Sequence, residues 1–218
     1  SQAGEYEVVL SDGSSRAFPV GAPRKIDLLG SWDLTFPEGW GAPPRATFSK
    51  LISWSDSPDE GIKHFSGTAT YHKNLRLPRG LFGADRRICL DLGRVASMAR
   101  VKLNGQALGL LWKAPFRLDI TDIAKPGDNQ LEIAVTNLWP NRMIGDESLP
   151  EDSDRWSNGT LKAWPDWLEE GKPSPTGRFT FTSWRLWHAG DALQPSGLLG
   201  PVTVTSTQTI SLDQEKLR

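Results

Sequence analysis

Hydrophobic and polar residues alternate along most of this chain, and turn-forming residues separate the alternating runs. Apolar side chains take nearly every second position in GSWDLTF (30–36), TATYHKNLRL (68–77) and RICLDLG (87–93). An alternation with a period of two is typical of a strand that has one face in a core. No window longer than two turns has a convincing helical period. The pattern therefore predicts an all-β chain.

Short turn signals connect the predicted strands. Asn104-Gly105 is the strongest two-residue hairpin signal, because such a turn needs a positive φ at both central positions. The SDGS turn at 11–14 predicts a hairpin between Glu5–Leu10 and Arg16–Val20, and PGDN at 126–129 leads into another alternating run. Short strands at this spacing predict an antiparallel β-sandwich or jelly roll.

The same pattern divides the chain. We expect a hairpin appendage and linker over residues 1–25, a jelly-roll domain over 26–206 and a polar tail over 207–218. Within the domain, the alternation stops at 138–177, a loop insertion of 40 residues with four Trp and five Pro. A loop of this length inside a compact domain is often functional.

The strand pattern resumes after the loop insertion. FTFTSWRLW (179–187) alternates again, and the last strand is predicted over Leu199–Thr205.

Charge and cysteine content exclude several classes of partner. The 25 basic and 26 acidic side chains leave a formal net charge of −1, which argues against a nucleic-acid or membrane partner held by bulk charge. Cys89 is the one cysteine, so no intrachain disulfide and no zinc site of the CxxC type is expected. No run approaches the roughly 18 apolar residues of a membrane helix. The N-terminal SQAGEYEVVL has no secretory-signal pattern, which favours a trimmed or excised chain.

Tryptophan is unusually frequent, with 10 Trp against 2 Tyr and 8 Phe. Indole stacks on the C–H faces of sugar rings while its N–H can still bind a hydroxyl, so Trp in long loops suits carbohydrate. The candidate sugar-binding indoles are Trp139, Trp156, Trp164, Trp167 and Trp184. The alternative is that they form the small core that the loop itself needs. Trp32, Trp112 and Trp187 lie in or beside alternating runs and are expected to pack in the sandwich.

Amide and guanidinium groups near these indoles are further candidate sugar ligands. The side chains of Asn141, Arg142 and Arg178 could form paired hydrogen bonds with vicinal hydroxyls or with an acidic sugar. We expect Trp164 or Trp167 to present an indole face to a sugar, with Arg178 as a charged donor at the same site.

Five carboxylates of the loop are the one hint of glycosidase chemistry: Asp146, Glu147, Glu151, Asp152 and Asp154. Hydrolysis needs two carboxyl groups about 5 Å or about 6.5–9.5 Å apart across a pocket, which spacing along a loop does not establish. We therefore assign no catalytic residue. The alternatives are ion pairs, of Arg142 with Asp146 or Glu147 and of Arg155 with Asp152 or Asp154, and a structural Ca²⁺ site without EF-hand spacing. No other cofactor is expected.

The region between Phe65 and Asn137 resembles the sugar-binding jelly-roll domain of glycoside hydrolase family 2 and its relatives. The resemblance lies in FSGTATYHKNLRLP, ICLDLGRVASMARVKLNGQALGLLWKAPFRLDITD and KPGDNQLEIAVTN. It implies a galactose-binding-like sandwich, and a fold alone does not specify an activity.

Further runs resemble the C-terminal region of α-L-rhamnosidases of glycoside hydrolase family 106. They are GSWDLTFPEGWGAP, LISWSDSPDEGIKHFSGTATY, NLWPNRMIGDESLPED, GTLKAWPDWLEEGKPSPTGRFTFTSWRLW and SGLLGPV, which cover most of residues 30–204. In that family the catalytic acid and base lie on an upstream (β/α)₈-type barrel. No such barrel fits an all-β chain of 218 residues.

The resemblance implies a non-catalytic carbohydrate-binding or accessory module of a rhamnosidase-like glycoside hydrolase. Its partners would be a rhamnose-containing oligo- or polysaccharide of the pectin or rhamnogalacturonan type and the catalytic barrel of the parent enzyme. Its location would be secreted or periplasmic in a bacterium. Two alternatives stay open: a structural domain that packs on the barrel without binding sugar, and a small glycoside hydrolase in its own right.

Overall fold

The alternating runs become paired strands, and two antiparallel sheets enclose one apolar core, which makes the chain a β-sandwich. The computed structural model describes residues 3–9 and 11–210. Its strands are β1 (Gly4–Val9), β2 (Ser15–Val20), β3 (Arg24–Asp27), β4 (Trp32–Thr35), β5 (Arg45–Phe48), β6 (Thr68–Leu77), β7 (Arg86–Asp91), β8 (Arg94–Ala96), β9 (Met98–Leu103), β10 (Gln106–Leu111), β11 (Arg117–Asp119), β12 (Gly127–Thr136), β13 (Gly197–Gly200) and β14 (Thr203–Gln208). The predicted all-β class is confirmed.

Helices are few and short. They are α1 (Glu60–Lys63), α2 (Pro140–Asp146) and α3 (Asp166–Glu169), with single 3₁₀ turns at Trp54–Asp56 and Arg79–Leu81. Among the described residues, no helix has both the length and the apolar character needed to cross a bilayer.

The larger sheet has six strands in the order β10-β9-β12-β6-β4-β5, and the smaller sheet has four in the order β11-β7-β14-β3. The central strands β6 and β12 pair over ten positions, from Thr68 opposite Thr136 to Leu77 opposite Gly127. β13 pairs with β8, and β1 with β2. This antiparallel arrangement agrees with the sandwich that the short alternating runs predict.

The predicted hairpin at Asn104-Gly105 is confirmed. Burial along β9 alternates residue by residue from exposed Met98 to buried Leu103, as expected for a strand with one face in the core. The chain then reverses through Asn104, with φ of 53°, and Gly105, with φ of 82°. The Asn104 side chain also accepts the Gln130 backbone N–H at 3.0 Å, which ties the turn to β12.

Both ends of the sandwich differ slightly from the sequence prediction. β1 and β2 form the predicted N-terminal hairpin, although Leu10 lies outside the described residues. The predicted final strand is instead β13 and β14, because the chain turns at Gly200 and Pro201 has no N–H for a ladder. β14 runs on to Gln208, into the predicted polar tail, and residues 211–218 of that tail lie outside the described residues.

A buried hydrogen-bonded node joins the core to β13. The Tyr71 hydroxyl accepts the Trp54 indole N–H at 2.7 Å and the Leu198 backbone N–H at 3.0 Å. Burial raises the pKa of the Tyr71 phenol far above its ordinary value, so the hydroxyl stays neutral. A Cβ at Gly197 would lie 2.6 Å from Trp54 Nε1 and 2.7 Å from the Tyr71 hydroxyl. Glycine is therefore required beside this node.

We expect Tyr71→Phe to lower the free energy of unfolding by about 2–4 kcal/mol, because two buried N–H groups lose their acceptor. Urea unfolding followed by Trp fluorescence measures the change. As a control, Thr47→Val removes an exposed hydroxyl that donates to Asp33 in the same sandwich, and should cost less than about 0.5 kcal/mol. Equal effects of the two substitutions would contradict this role for the buried hydroxyl.

Candidate functional site

The chain between β12 and β13 folds onto the sandwich as a unit, which we call the Trp-rich insertion (residues 138–196). Residues 147–196, all of which the structure describes, contain α3 and isolated bridges but no strand. The strand predicted at 179–187 is therefore wrong. The backbone N–H groups of Phe179, Thr180 and Arg185 in this segment instead have acceptors inside the insertion.

Asp146, at the end of α2, supplies the most important of these acceptors. Its buried Oδ2 accepts the N–H groups of Phe179 and Thr180 and the Thr180 hydroxyl, each at 2.8 Å. Arg142, one turn earlier, places Nε 3.0 Å from Asp146 Oδ1 and its guanidinium 4.9 Å from the centre of the Phe179 ring. Burial lowers the pKa of Arg142, and the Asp146 charge opposes that shift. The predicted Arg142–Asp146 ion pair is thus confirmed.

A second group of charges, which we call the ionic cluster, consists of Glu147, Glu151, Arg155, Arg178 and Arg185. Glu147 bridges two of the arginines, with Oε1 2.9 Å from Arg178 Nη1 and Oε2 3.0 Å from Arg185 Nε. Glu151 also contacts both, Arg178 at 3.4 Å and Arg185 through Nη2. Arg155 Nε lies 3.8 Å from Glu151, and burial lowers the Arg155 pKa. The cluster links the first third of the insertion to its last third.

The three polar residues predicted to bind sugar have partners within the protein. Asn141 is buried, and its amide donates to and accepts from the backbone of Gln194, both at 2.8 Å. Arg142 is held by its ion pair with a buried carboxylate. Arg178 donates to two backbone carbonyls in addition to its bonds in the ionic cluster. These contacts give all three a structural role, so we leave them out of the site proposed below.

Two exposed indoles line an open cleft on the insertion, which we call the indole cleft. Trp156 is 60% exposed and Trp184 is 52% exposed. The cleft has a volume of about 630 Å³, within the usual range for ligand sites, and its polar lining includes Glu151, Asp154, Arg155, Arg185 and His188. Trp184 donates its N–H to the Asn158 carbonyl at 3.1 Å, which orients the ring. Lys162 Nζ lies 5.4 Å from the centre of the Trp156 ring.

The indoles of Trp164 and Trp167 meet across Phe181, and Trp167 lines one cleft together with Arg178. Their ring centres lie 5.6 and 5.8 Å from that of Phe181. Trp167 is half-buried and donates its N–H to the Asp152 carbonyl at 2.9 Å, so it contributes to the insertion's own core. Trp164 is exposed and stays a predicted sugar-binding residue.

Trp139 pairs with Trp40, which sequence analysis missed. The two exposed rings lie 5.7 Å apart, and Trp40 also lines a second cleft of about 530 Å³ with Trp167, Phe179 and Phe181. The glycines on either side of Trp40 could have indicated a tight turn with an exposed indole. In the structure, Gly39 and Gly41 both have a positive φ. Asn158 in the indole cleft carries a similar signal, since Gly159 follows it with a positive φ, whereas His188 has no adjacent glycine.

Four of the five carboxylates that are candidate calcium ligands are engaged with other groups of the protein. Asp146 and the two glutamates of the ionic cluster face arginines, and Asp152 accepts the Ser174 hydroxyl at 2.7 Å. Within the part of the chain that the structure describes, no three His, Cys, Asp or Glu side chains converge on one point. Calcium takes about six to eight oxygen ligands, so a calcium site at these residues stays a prediction that would need further oxygens from the backbone or from water.

Trp112 lies on the surface and not in the core, where it was predicted. Its ring is 67% exposed, because it follows the end of β10, the edge strand of the larger sheet. Trp32 is buried as predicted, and Trp187 is half-buried.

Comparison with known proteins places the fold among sugar-cleaving enzymes. No protein-family model matches the chain. Over 182 residues it is 49% identical to a protein of Formosa agariphila named "Putative beta-glucuronidase", a match that covers 84% of this chain and 16% of the relative. The solved structure of a rhamnosidase from Novosphingobium sp. PP1Y matches 85% of the chain with 36% identity and a TM-score of 0.67. The chain is a β-sandwich domain related to glycoside hydrolases.

Other structures share the fold of this glycoside hydrolase-related domain at lower identity. β-Glucuronidases from an uncultured Clostridium sp. and from Dictyoglomus thermophilum have TM-scores of 0.52 and 0.51, each at 20% identity. They match 88% and 85% of this chain and 30% and 28% of their own lengths. The chain spans only 15–16% of the rhamnosidase and of the Formosa protein, so most of each relative lies outside the match.

We expect Asp146→Asn to lower the free energy of unfolding by about 3–5 kcal/mol, because buried Arg142 loses its counter-charge. Urea unfolding measures the loss, and limited proteolysis should show cleavage within the Trp-rich insertion. Asp154→Asn is the control, since Asp154 is exposed and forms no ion pair with a described residue. Unfolding midpoints that match for the two variants would show that the buried ion pair does not hold the insertion.

Proposed function

We propose that the domain is a non-catalytic carbohydrate-binding module of an α-L-rhamnosidase-like enzyme of the glycoside hydrolase family 106 type. The observation that carries the proposal is the pair of exposed indoles, Trp156 and Trp184, on one cleft. Large apolar side chains on a concave surface, surrounded by polar groups, are typical of a small-molecule site. The proposed ligand is a rhamnose-containing glycan of the pectin or rhamnogalacturonan type.

The chemistry of the indole cleft suits a sugar. A pyranose ring offers a C–H face for stacking and hydroxyls for hydrogen bonds, and indole matches the first of these. Trp184 is already oriented through its N–H, so its ring can present a face with little loss of side-chain entropy on binding. The Asn158 carboxamide is likewise ordered by Thr160, whose N–H and hydroxyl donate to it at 3.1 and 2.6 Å.

Support for rhamnose comes from the similarity to the Novosphingobium rhamnosidase at 36% identity. In our proposal the chemistry lies in a catalytic barrel elsewhere in a longer parent enzyme, as expected for a chain that spans 15% of that relative. The insertion's acids suit a bracing role better than hydrolysis, since Glu147 and Glu151 each contact two arginines at the described positions.

One observation favours a second function, that of a structural domain that packs on the parent barrel. Leu110 on edge strand β10 and Trp112 just beyond it are both exposed, outside either cleft. Exposed apolar side chains beside an open sheet edge are typical of a surface that another domain covers. The two functions are compatible, because the β10 edge and the indole cleft use different residues.

We expect Trp156→Ala and Trp184→Ala each to weaken binding of rhamnose-containing oligosaccharides by about tenfold, from an initial Kd in the high-micromolar to millimolar range. Melting temperatures should change little, because both rings are mostly exposed. Isothermal titration calorimetry measures the affinities. Trp112→Ala, which removes an equally exposed indole outside the cleft, is the matched control and should bind like the wild type.

Two outcomes would redirect the proposal. A large fall in melting temperature in both variants would show that these indoles stabilise the insertion and do not form a platform. No heat with any rhamnose-containing glycan would favour the structural domain.

We also expect no hydrolysis of an aryl α-L-rhamnoside by this chain, because its clustered acids are paired with arginines. Release of the aryl group at high protein concentration measures the activity. A rate that survives repurification and disappears in Glu147→Gln would establish the chain as an enzyme.

A further inference from the structure

The arginines of the indole cleft already have partners within the protein. Arg155 donates to two backbone carbonyls, at 3.2 and 2.6 Å. Arg185 lies with Nε 3.0 Å from Glu147 Oε2, and its Nη2 contacts Glu151 Oε1. A carboxylate on a ligand would therefore find the guanidinium groups engaged. Charge-assisted hydrogen bonds to arginine are among the strongest that a ligand carboxylate can form. The existing partners of these arginines therefore bear on which sugars the cleft favours.

Glu151 is the carboxylate of the ionic cluster that lines the cleft. Its side chain is 48% exposed, compared with 16% for Glu147, which does not line the cleft. Asp154 adds another negative charge to the lining and forms no ion pair with a residue in the described ranges. An acidic sugar in the cleft would thus meet two carboxylates, and like charges brought together at an interface oppose binding.

We propose that Glu151 makes the indole cleft selective for neutral sugars by occupying Arg185, the donor that a uronate would need. The inference rests on the proposed function, because it takes the cleft to be a sugar site. A neutral deoxyhexose can stack on the indoles without displacing any charge. A uronate must displace the Glu151 carboxylate or lie close to it. Glu151 is thus a specificity-determining residue, and the indoles supply the stacking surface.

Glu151→Gln tests the proposal because it removes the charge and keeps the size of the side chain. Arg178 stays hydrogen-bonded to Glu147, and the Arg185 guanidinium stays beside the Glu147 carboxylate, so the loop remains braced. Calorimetric titrations at low salt compare methyl α-L-rhamnoside with methyl galacturonoside. The wild type should bind the rhamnoside at least about tenfold more tightly. In Glu151→Gln the affinity for the galacturonoside should rise about tenfold, with less than about a twofold change for the rhamnoside.

Three controls separate this mechanism from a general change of charge. Asp154→Asn removes one negative charge from the same cleft without releasing an arginine, and should raise galacturonoside affinity by less than about threefold. The double variant Glu151→Gln/Arg185→Gln should lose the gain. High salt should also remove it, because screening weakens an exposed ion pair.

The outcomes distinguish this inference from the proposed function. Wild-type protein that binds the galacturonoside as tightly as the rhamnoside overturns the inference and leaves the sugar-binding function intact. A gain that Asp154→Asn reproduces, or that survives in the double variant, overturns it as well. Absence of binding to either sugar by the wild type and by Glu151→Gln refutes both. The wild-type preference needs no substitution, so it tests the inference even if a variant is unstable.

Discussion

The Trp-rich insertion depends on one buried carboxylate. Residues 179–187 alternate like a strand but pair with no strand in the described part of the chain, and a partly buried backbone N–H needs an acceptor. Asp146 supplies that acceptor twice, at 2.8 Å each. Arg142 lies beside it, with Nε 3.0 Å from Asp146 Oδ1, and supplies the opposite charge that a buried carboxylate needs. This ion pair helps to position both clefts, since the indole cleft is lined by residues that come shortly after Asp146 or Thr180 and the second cleft by Phe179 and Thr180 themselves.

The sandwich and the insertion are held together by different forces. The sandwich has a continuous apolar core, and its polar node at Tyr71 is small and fully bonded. The insertion has few buried apolar side chains and relies on ion pairs and on hydrogen bonds from side chains to the backbone. Charged groups that brace a loop also fix the charge of its surface. The ionic cluster therefore shapes the indole cleft and sets the charge of its lining, on which our proposed preference for neutral sugars rests.

Local signals in the sequence predicted most of the strands and turns. Contacts between residues far apart in the sequence could not be predicted in this way. The hairpin at Asn104-Gly105 was predictable because the turn residues themselves must adopt a positive φ. The strand at 179–187 was not, because alternation shows that a segment could pair but not that a partner strand is available. The internal bonds of Arg178 were not predictable for a similar reason, since its partner Glu147 lies 31 positions earlier along the chain. Trp112 alternates like a core residue, yet it follows the end of an edge strand.

The partner of the indole N–H helps to show which tryptophans are structural. Trp54 donates to Tyr71 in the core, and Trp167 donates to a carbonyl inside the insertion while its ring packs edge-on against Phe181. Trp184 also has its N–H satisfied, but more than half of its surface faces solvent, as does that of Trp156. Among the described residues, neither of these two rings packs against another aromatic side chain. Each buried apolar Å² contributes about 25 cal/mol, so leaving two indoles exposed forgoes stabilisation that internal packing would provide. Contact with a ligand or another domain would recover it, which is the physical reason for placing the proposed site at these two rings.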